Sequence, residues 1–268
     1  MTRGDRLTVS CYKRRVMLHR LTQIALRTPL AEPVRWLYRR ICPLSPAEKN
    51  NRYDAETLTV MKRILKENSN CVDVGAHSGS ILRLMLESAP RGQHFAFEPL
   101  PDFAKGLRAS FAQVRVFELA LSDTAGQVSF QRVVADPAYS GMQRREYPSG
   151  LDEIQVITVQ TERLDNVIPD DIAVAFIKID VEGAELGVLR GAASVIKRCR
   201  PFIVFEHGLG AADHYGTTPA NVYDLLTDQY GLKVNLMRRW LLGKSPLTRA
   251  RFVEHFERGW DFYYLAYP

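Results

Sequence analysis

Residues 70–80, "NCVDVGAHSGS", carry a short apolar strand into a turn punctuated by Gly75 and Gly79, with Asp73 just ahead of the turn. An apolar helix pattern, "SILRLMLESAP", follows at once and stops at Pro90 and Gly92. A strand, a glycine turn and a helix in that order open an α/β sheet, whose ligands bind beyond the carboxyl ends of its strands. A dinucleotide would want G-x-G-x-x-G, so that a helix N-terminus faces the pyrophosphate closely. Here the third glycine is missing, and Asp73 would set a negative charge against the phosphates. The turn suits a ligand with no phosphate and with a cationic part.

Outward from the turn, the chain keeps an alternating rhythm. Upstream, "DAETLTVMKRILKENSN" has Asp54 as an N-cap and Leu58, Met61, Ile64 and Leu65 at helical spacing. Downstream, "QHFAFEPLP" is a second strand ending at Glu98, "DFAKGLRASF" a helix, and "VRVFELALSD" a third strand. "GQVSFQRVV" and "EIQVITVQT" then read as β segments bracketing a polar loop from Asp136 to Gly150. Alternation resumes with the strand "VAFIKID", a helix over "GAELGVLRGAASVIKRC" and the strand "PFIVFEHG". A helix around "ANVYDLLTDQY" leads to two last strands, "GLKVNLM" and "DFYYLAYP", separated by a basic loop. Strand and helix in alternation predict a mostly parallel sheet covered on both faces.

S-adenosylmethionine meets the requirement set by the turn, because it has a sulfonium, an ammonium and no phosphate. Glycines let the backbone come close to it. Glu98, at the end of the second strand, is placed to accept hydrogen bonds from a ribose diol, and Asp123, after the third, to receive the adenine amino group.

The fourth strand carries a second group of charges. Side chains alternate along a strand, so Lys178 and Asp180 share one face and Ile177 and Ile179 the other. A lysine on a strand buried on both faces needs a partner, and Asp180 is the nearest, with Glu182 and Glu185 following. Glu206 and His207 end the neighbouring strand. Methyl transfer from a sulfonium needs alignment above all. An alcohol must also lose its proton as it attacks, so a base within reach is useful. Asp180, Glu182, Glu206 and His207 are the candidates, with His207 the most natural proton acceptor near neutral pH. Several oxygen ligands in one place could also hold a divalent metal, but no spacing demands one. The segment 136–150, with Tyr139, Ser140 and Arg145, is placed to cover an acceptor.

The six matching stretches "VDVGAHSGS", "FEPLPDF", "ALSDTAG", "RLDNV", "IKIDVEGAELGVLRGA" and "PFIVFEHG" occur in the order seen in the FkbM-type methyltransferases, and over residues 55–268 the chain resembles that family. The resemblance implies a Rossmann-like, seven-stranded, mostly parallel sheet with an antiparallel last strand, and methyl transfer from S-adenosylmethionine to a hydroxyl. It places Asp73, Gly75, His77 and Gly79 at the cofactor turn, Glu98 at the ribose and Asp123 near adenine. His77 stands where the family more often has Asn.

Charge and composition bound the remaining choices. The chain has 268 residues, 46% of them hydrophobic, enough for one catalytic domain, taken here as 54–268 behind a basic helical arm, 1–53. Residues 1–40 hold ten Lys or Arg against Asp5 and Glu32, a net +8 out of +6 overall, so the other 228 residues sum to −2. A basic arm on a near-neutral body argues against a nucleic-acid groove and for contact with a membrane surface or partner, or for a helix packed on its own domain. Trp36 and Tyr38 sit among its arginines, and "YKRRVMLHRLTQIALR" suits an interfacial helix or a transit peptide. Cys11, Cys42, Cys71 and Cys199 form no CxxC, so a reducing, cytoplasmic setting is expected. The leading reading is an O-methyltransferase for a small-molecule, glycan or lipid-linked hydroxyl. An RNA methyltransferase, a nicotinamide oxidoreductase and a cofactor-binding protein without turnover are the rivals.

Overall fold

The computed structural model describes residues 46–147 and 150–268. The basic segment through Arg40, with its expected interfacial helix, lies outside the described residues. The chain divides after Tyr53, and both sheets and the cleft described below lie in the unit from Asp54 to Pro268.

Seven strands form one sheet: β1 (Asn70–Val74), β2 (His94–Phe97), β3 (Arg115–Phe117), β7 (Val174–Ile179), β8 (Phe202–Glu206), β9 (Lys233–Asn235) and β10 (Tyr263–Tyr267). Their order is β3-β2-β1-β7-β8-β10-β9. All run parallel except β10, which is antiparallel to both neighbours. The expected sheet, with its reversed last strand, is therefore present. Strand order reverses between β1 and β7, and in open α/β sheets a ligand crevice forms at such a switch point.

The central strands are buried on both faces, which explains their near-continuous apolar runs. One face presents Val72, Val74, Ile177, Ile179, Ile203 and Phe205 to the helices α5 (Glu185–Gly191), α6 (Ala193–Cys199) and α7 (Pro219–Asp224). Each fully buried side chain of this size contributes about 1.5–3 kcal/mol. The opposite face carries Cys71, Asp73, Lys178 and Glu206, because the pleat alternates and the register pairs Asp73 with Lys178 and Lys178 with Val204. Helix α2 (Ser80–Ser88) buries Leu82 and Met85.

Four expectations are corrected. Helix α1 (Pro46–Ile64) begins upstream of Asp54, so Asp54 lies within it and is not its N-cap. The expected third strand breaks after Phe117: β4 (Ala120–Leu121) leaves the main sheet and pairs with β6 (Ile154–Glu162), which also pairs with β5 (Gly126–Val133) in a second, three-stranded sheet. The helix expected over 183–199 divides at Ala192, where a Cβ on Gly191 would stand 2.0 Å from the Ser122 carbonyl oxygen. Close approach of the β4 exit interrupts it. The expected basic loop before β10 contains two helices, α8 (Met237–Leu241) and α9 (Arg249–Glu257), and α9 buries Phe252 and Phe256 one turn apart. Its arginines hid that apolar stripe.

Candidate active site

The turn after β1 is built by backbone geometry. Gly75 and Gly79 both have positive φ, 79° and 81°. A Cβ on Gly75 would lie 1.8 Å from the Asp180 carbonyl oxygen, and one on Gly79 would lie 2.5 Å from Phe111 Cε2. These glycines therefore let the turn nest against the end of β7 and against the helix α3 (Pro101–Ser110) with the phenylalanine that follows it. Packing behind the turn is a further reason for these glycines, and Gly75 also lines the cleft. Gly75, Ala76 and His77 then line one cleft with Asp73, Glu98 and the exit of β7.

Glu98 ties the turn to β2. Its two carboxylate oxygens accept the N–H groups of His77 (2.8 Å) and Leu100 (2.9 Å). Burial raises its pKa to about 7 against the pull of those two N–H groups. Each oxygen keeps a lone pair for a further donor, so the residue can hold a diol while it fixes the turn. His77 takes φ 46°, stacks its ring on Phe103 at 4.2 Å and leaves Nε2 buried with no hydrogen-bond partner. Asp73 is 2% exposed, and its Oδ2 also lacks a partner. Burial raises Asp73 to about 7, opposed by the Lys178 ammonium. A buried carboxylate with an unmet acceptor, facing a cleft without phosphate-binding geometry, fits a cationic ligand such as S-adenosylmethionine.

Beside Asp73 on the neighbouring strand, Lys178 Nζ donates to Asp180 Oδ2 (3.0 Å) and Tyr263 Oη (3.3 Å), and it sits 4.4 Å from the centre of the Tyr263 ring. The Tyr263 hydroxyl donates to the same Asp180 oxygen. Burial pushes Asp180 upward, but the Lys178 charge and the hydrogen bonds from Glu206, Tyr263 and Lys178 outweigh it and hold the carboxyl below the usual range. Glu206 goes the other way, raised by burial and by the negative charges of Asp180 and Glu182. Glu182, at φ 56°, turns into the cleft and forms an ion pair with Arg145 from the 136–150 segment. Burial and Asp180 raise Glu182 to about 7 although Arg145 opposes them. Asp180, Glu182 and Glu206 bring carboxylate oxygens within 4.8 Å of one another, with Lys178 and Arg145 as the cations among them. Glu185 is fully buried, accepts the Gly183 N–H (2.9 Å) and is raised by burial to about 8.

Four expected site residues do not line the cleft: Gly79 packs behind the turn against Phe111, Glu206 is hydrogen-bonded to Asp180, and Asp123 and His207 lie elsewhere. Asp123 lies on the surface, where Ser122 and Thr124 donate to it and Arg190 stands 3.9 Å away. The cleft instead receives Leu119, Ala120 and Leu121, because the chain crosses to the second sheet just there. His207 points to the opposite face from Glu206, as alternation along β8 requires. Its ring is fully buried, 4.7 Å from Phe256 and 6.1 Å from Phe252, and neither nitrogen has a hydrogen-bond partner. Burial lowers its pKa to about 4, so His207 is a neutral core residue and not the proton acceptor expected of it. A folded-state pKa below the unfolded one gives stability that is full above about pH 6.5 and is lost as pH falls through about 4. His207→Leu is therefore expected to keep turnover within about twofold and to flatten the acid limb of the stability curve. A loss of turnover above tenfold, with cofactor affinity kept, would return His207 to the mechanism.

Sequence reasoning missed Tyr263 and Tyr215. Tyr263 pairs with Glu206 in the β8–β10 register, which brings the last strand's tyrosine to the fourth strand's lysine. Tyr215 Oη accepts the Gln143 N–H (3.1 Å) and anchors the covering segment. That segment also closes on β5 through a two-way backbone bridge between Gln131 and Gly141. Ser140, expected to face an acceptor, lines the cleft, but its Oγ accepts the Val133 N–H (3.0 Å). The alternation of "DFYYLAYP" would have placed Tyr263 and Leu265 on one face, but no local signal says which strand they meet.

Comparison with known proteins agrees with this architecture. The family model described as the methyltransferase FkbM domain matches residues 73–233. The 2-O-methyltransferase NoeI of Sinorhizobium fredii (strain NBRC 101917 / NGR234) is 30% identical over 176 residues, which are 58% of this chain and 72% of NoeI. The crystal structure of the methyltransferase FkbM from Methylobacillus flagellatus KT superposes with a TM-score of 0.50 at 15% identity, over 95% of this chain and 59% of that one. This chain thus spans less than two thirds of that relative's length, and the likeness concerns the fold. With the strand order, the glycine turn and the "KIDVEGAE" exit of β7 all inside the matched span, the chain belongs to the FkbM methyltransferase family.

Proposed function

We propose that this protein is an S-adenosylmethionine-dependent O-methyltransferase acting on a hydroxyl of a neutral, polyhydroxylated acceptor such as a glycan. The observation that carries this reading is one cleft lined from β1 and β2 by Asp73, Gly75 and Glu98 and from the exit of β7 by Lys178, Asp180 and Glu182, with Asp73 and Lys178 side by side in the β1–β7 register. The first group suits a sulfonium nucleoside, with Glu98 toward the ribose and Asp73 toward the cationic portion. The second group has more acids than bases, and both cations there are already paired. Such a wall repels phosphate, which disfavours an RNA substrate. It accepts hydrogen bonds from adjacent hydroxyls readily. The activity of NoeI, 2-O-methyl transfer, supports the same reaction class. The cofactor supplies the electrophilic methyl group; the chain's residues hold the two reactants in line and take up the proton. The basic arm, net +8 over residues 1–40, would favour a membrane-associated acceptor.

The test is transfer of labelled methyl from S-adenosylmethionine to a panel of methyl glycosides, with an RNA oligonucleotide and a sugar phosphate alongside. Label in a neutral glycoside supports the reading. Label only in RNA or in the phosphate would reject it.

A further inference from the structure

We infer that Glu182 is the group that accepts the acceptor's hydroxyl proton, and that Arg145 is the positioning residue that holds its carboxylate in the cleft. The inference rests on the methyltransferase reading above. Among the acids gathered at the exit of β7, Asp180 is spoken for: Lys178 and Tyr263 both donate to its Oδ2, and Glu206 bonds to it as well. An oxygen held by that many donors is a poor place for another proton. Glu206 and Glu185 do not line the cleft, and His207 lies on the other face of the sheet. Glu182 does line it.

Its backbone explains how. A residue with a Cβ at φ 56° is held in the left-handed region at a cost, and the neighbouring Gly183 takes φ 108° with its missing Cβ against the Ala211 carbonyl oxygen, 2.5 Å away. The turn between β7 and α5 is therefore clamped from behind, and Glu182 is the side chain it presents. Arg145 reaches Glu182 from the covering segment, donates as well to the Tyr139 carbonyl oxygen (3.2 Å), and lies over the rings of Tyr139 and Tyr147. Its side chain is 8% exposed and that of Glu182 is 23%, so the guanidinium is covered while the carboxylate keeps access to the cleft. The charges that act on Glu182 among the described residues are Arg145 from the covering segment, Lys178 and Asp180 from β7 and its exit, Glu206 from β8 and Glu185 from α5, with the Tyr263 hydroxyl from β10.

In the step, the acceptor oxygen attacks the methyl carbon and the carbon–oxygen bond forms. The carbon–sulfur bond breaks, its electron pair stays on sulfur, and the sulfonium becomes a neutral thioether. The hydroxyl proton passes to the Glu182 carboxylate, which becomes a neutral carboxylic acid and later releases the proton to solvent.

The experiment compares wild type, Glu182→Gln, Arg145→Met and Arg145→Lys. Turnover with methyl glycosides is read against pH, S-adenosylhomocysteine affinity by calorimetry, and the Glu182 carboxyl by carbon-13 NMR with bound S-adenosylhomocysteine. Glu182→Gln is expected to lower turnover at least about 100-fold with cofactor affinity within threefold. Arg145→Met is expected to move the Glu182 titration, and the acidic limb of the rate profile, upward by about one to three pH units, and Arg145→Lys to restore most of the shift. Retained turnover in Glu182→Gln, or a carboxyl signal that does not move in Arg145→Met, would overturn the inference. So would turnover abolished by a chelator and restored by magnesium, since the acid cluster would then hold a cation. If S-adenosylhomocysteine binds but no glycoside is methylated, the acceptor class fails, and the NMR titration still decides the place of Glu182.

Discussion

Gly75→Ala is expected to lower the melting temperature by about 10 °C and to abolish S-adenosylhomocysteine binding. The added Cβ would stand 1.8 Å from the Asp180 carbonyl oxygen, which is backbone at the end of a central strand and cannot move aside cheaply. The same residue holds φ 79°, where an L side chain carries about 1–2 kcal/mol of strain. Overpacking adds about 1–3 kcal/mol. Together they remove about 2–5 kcal/mol, a large share of the stability of an ordinary domain. For a domain of this size each kcal/mol is about 2–4 °C. Gly79→Ala is the internal control, because its Cβ meets the side chains of Phe111 and Leu107, which can shift. Thermal unfolding of the two variants measures the difference. An unchanged melting temperature in Gly75→Ala would show that the turn does not nest against β7 as described.

Cofactor affinity is expected to fall below neutrality, by about tenfold per pH unit for each raised carboxyl the ligand needs ionised, and Glu98 is the first of them. Burial raises its pKa from 4.5 to about 7. A diol needs the carboxylate as an acceptor, so in acid the ligand must first displace a proton. The sign for stability is opposite. A carboxyl whose folded pKa is raised contributes stability that is full below its unfolded value, near 4.5, and is lost as pH rises through about 7. Asp73, raised from 3.8 to about 7, adds in the same direction. The ligand-free protein should therefore melt lower at pH 8 than at pH 5.5, while the protection given by S-adenosylhomocysteine grows over the same range. Glu98→Gln should reduce the slope to the share left by Asp73 and weaken binding, because its amide would set an N–H against the N–H of His77 or Leu100. An unsatisfied buried donor of this kind costs about 1–3 kcal/mol, roughly tenfold to a hundredfold in affinity. Calorimetry at four pH values on both proteins checks this. A pH-independent wild-type affinity would remove Glu98 from the ligand.

The alternation of elements, the β1 turn and the pairing of Lys178 with Asp180 were legible because each rests on spacing within a few residues. Glu98 was legible for the same reason, as a strand end in a parallel sheet. His207 was misread although the rule needed was the one already applied to Lys178: if Glu206 faces the site, its neighbour faces away. A histidine next to an acid looked chemical, and the α9 phenylalanines that enclose it lie far along the chain. Asp123 was misread because the strand carrying it appeared continuous, while Ala120 and Leu121 pair with a different sheet.

By itself the sequence determined the architecture, since apolar periodicity and turn residues act locally and repeat often enough to specify a parallel sheet with helices on both faces. It also determined which residues stand at the strand ends where such a sheet binds ligands. Only the tertiary structure decided which of those ends meet. The β8–β10 register brings Tyr263 to Lys178 and Asp180, and the covering segment brings Arg145 to Glu182. These are contacts between residues tens of positions apart, and their protonation depends on burial and on charges contributed by several elements at once, which no window of sequence contains.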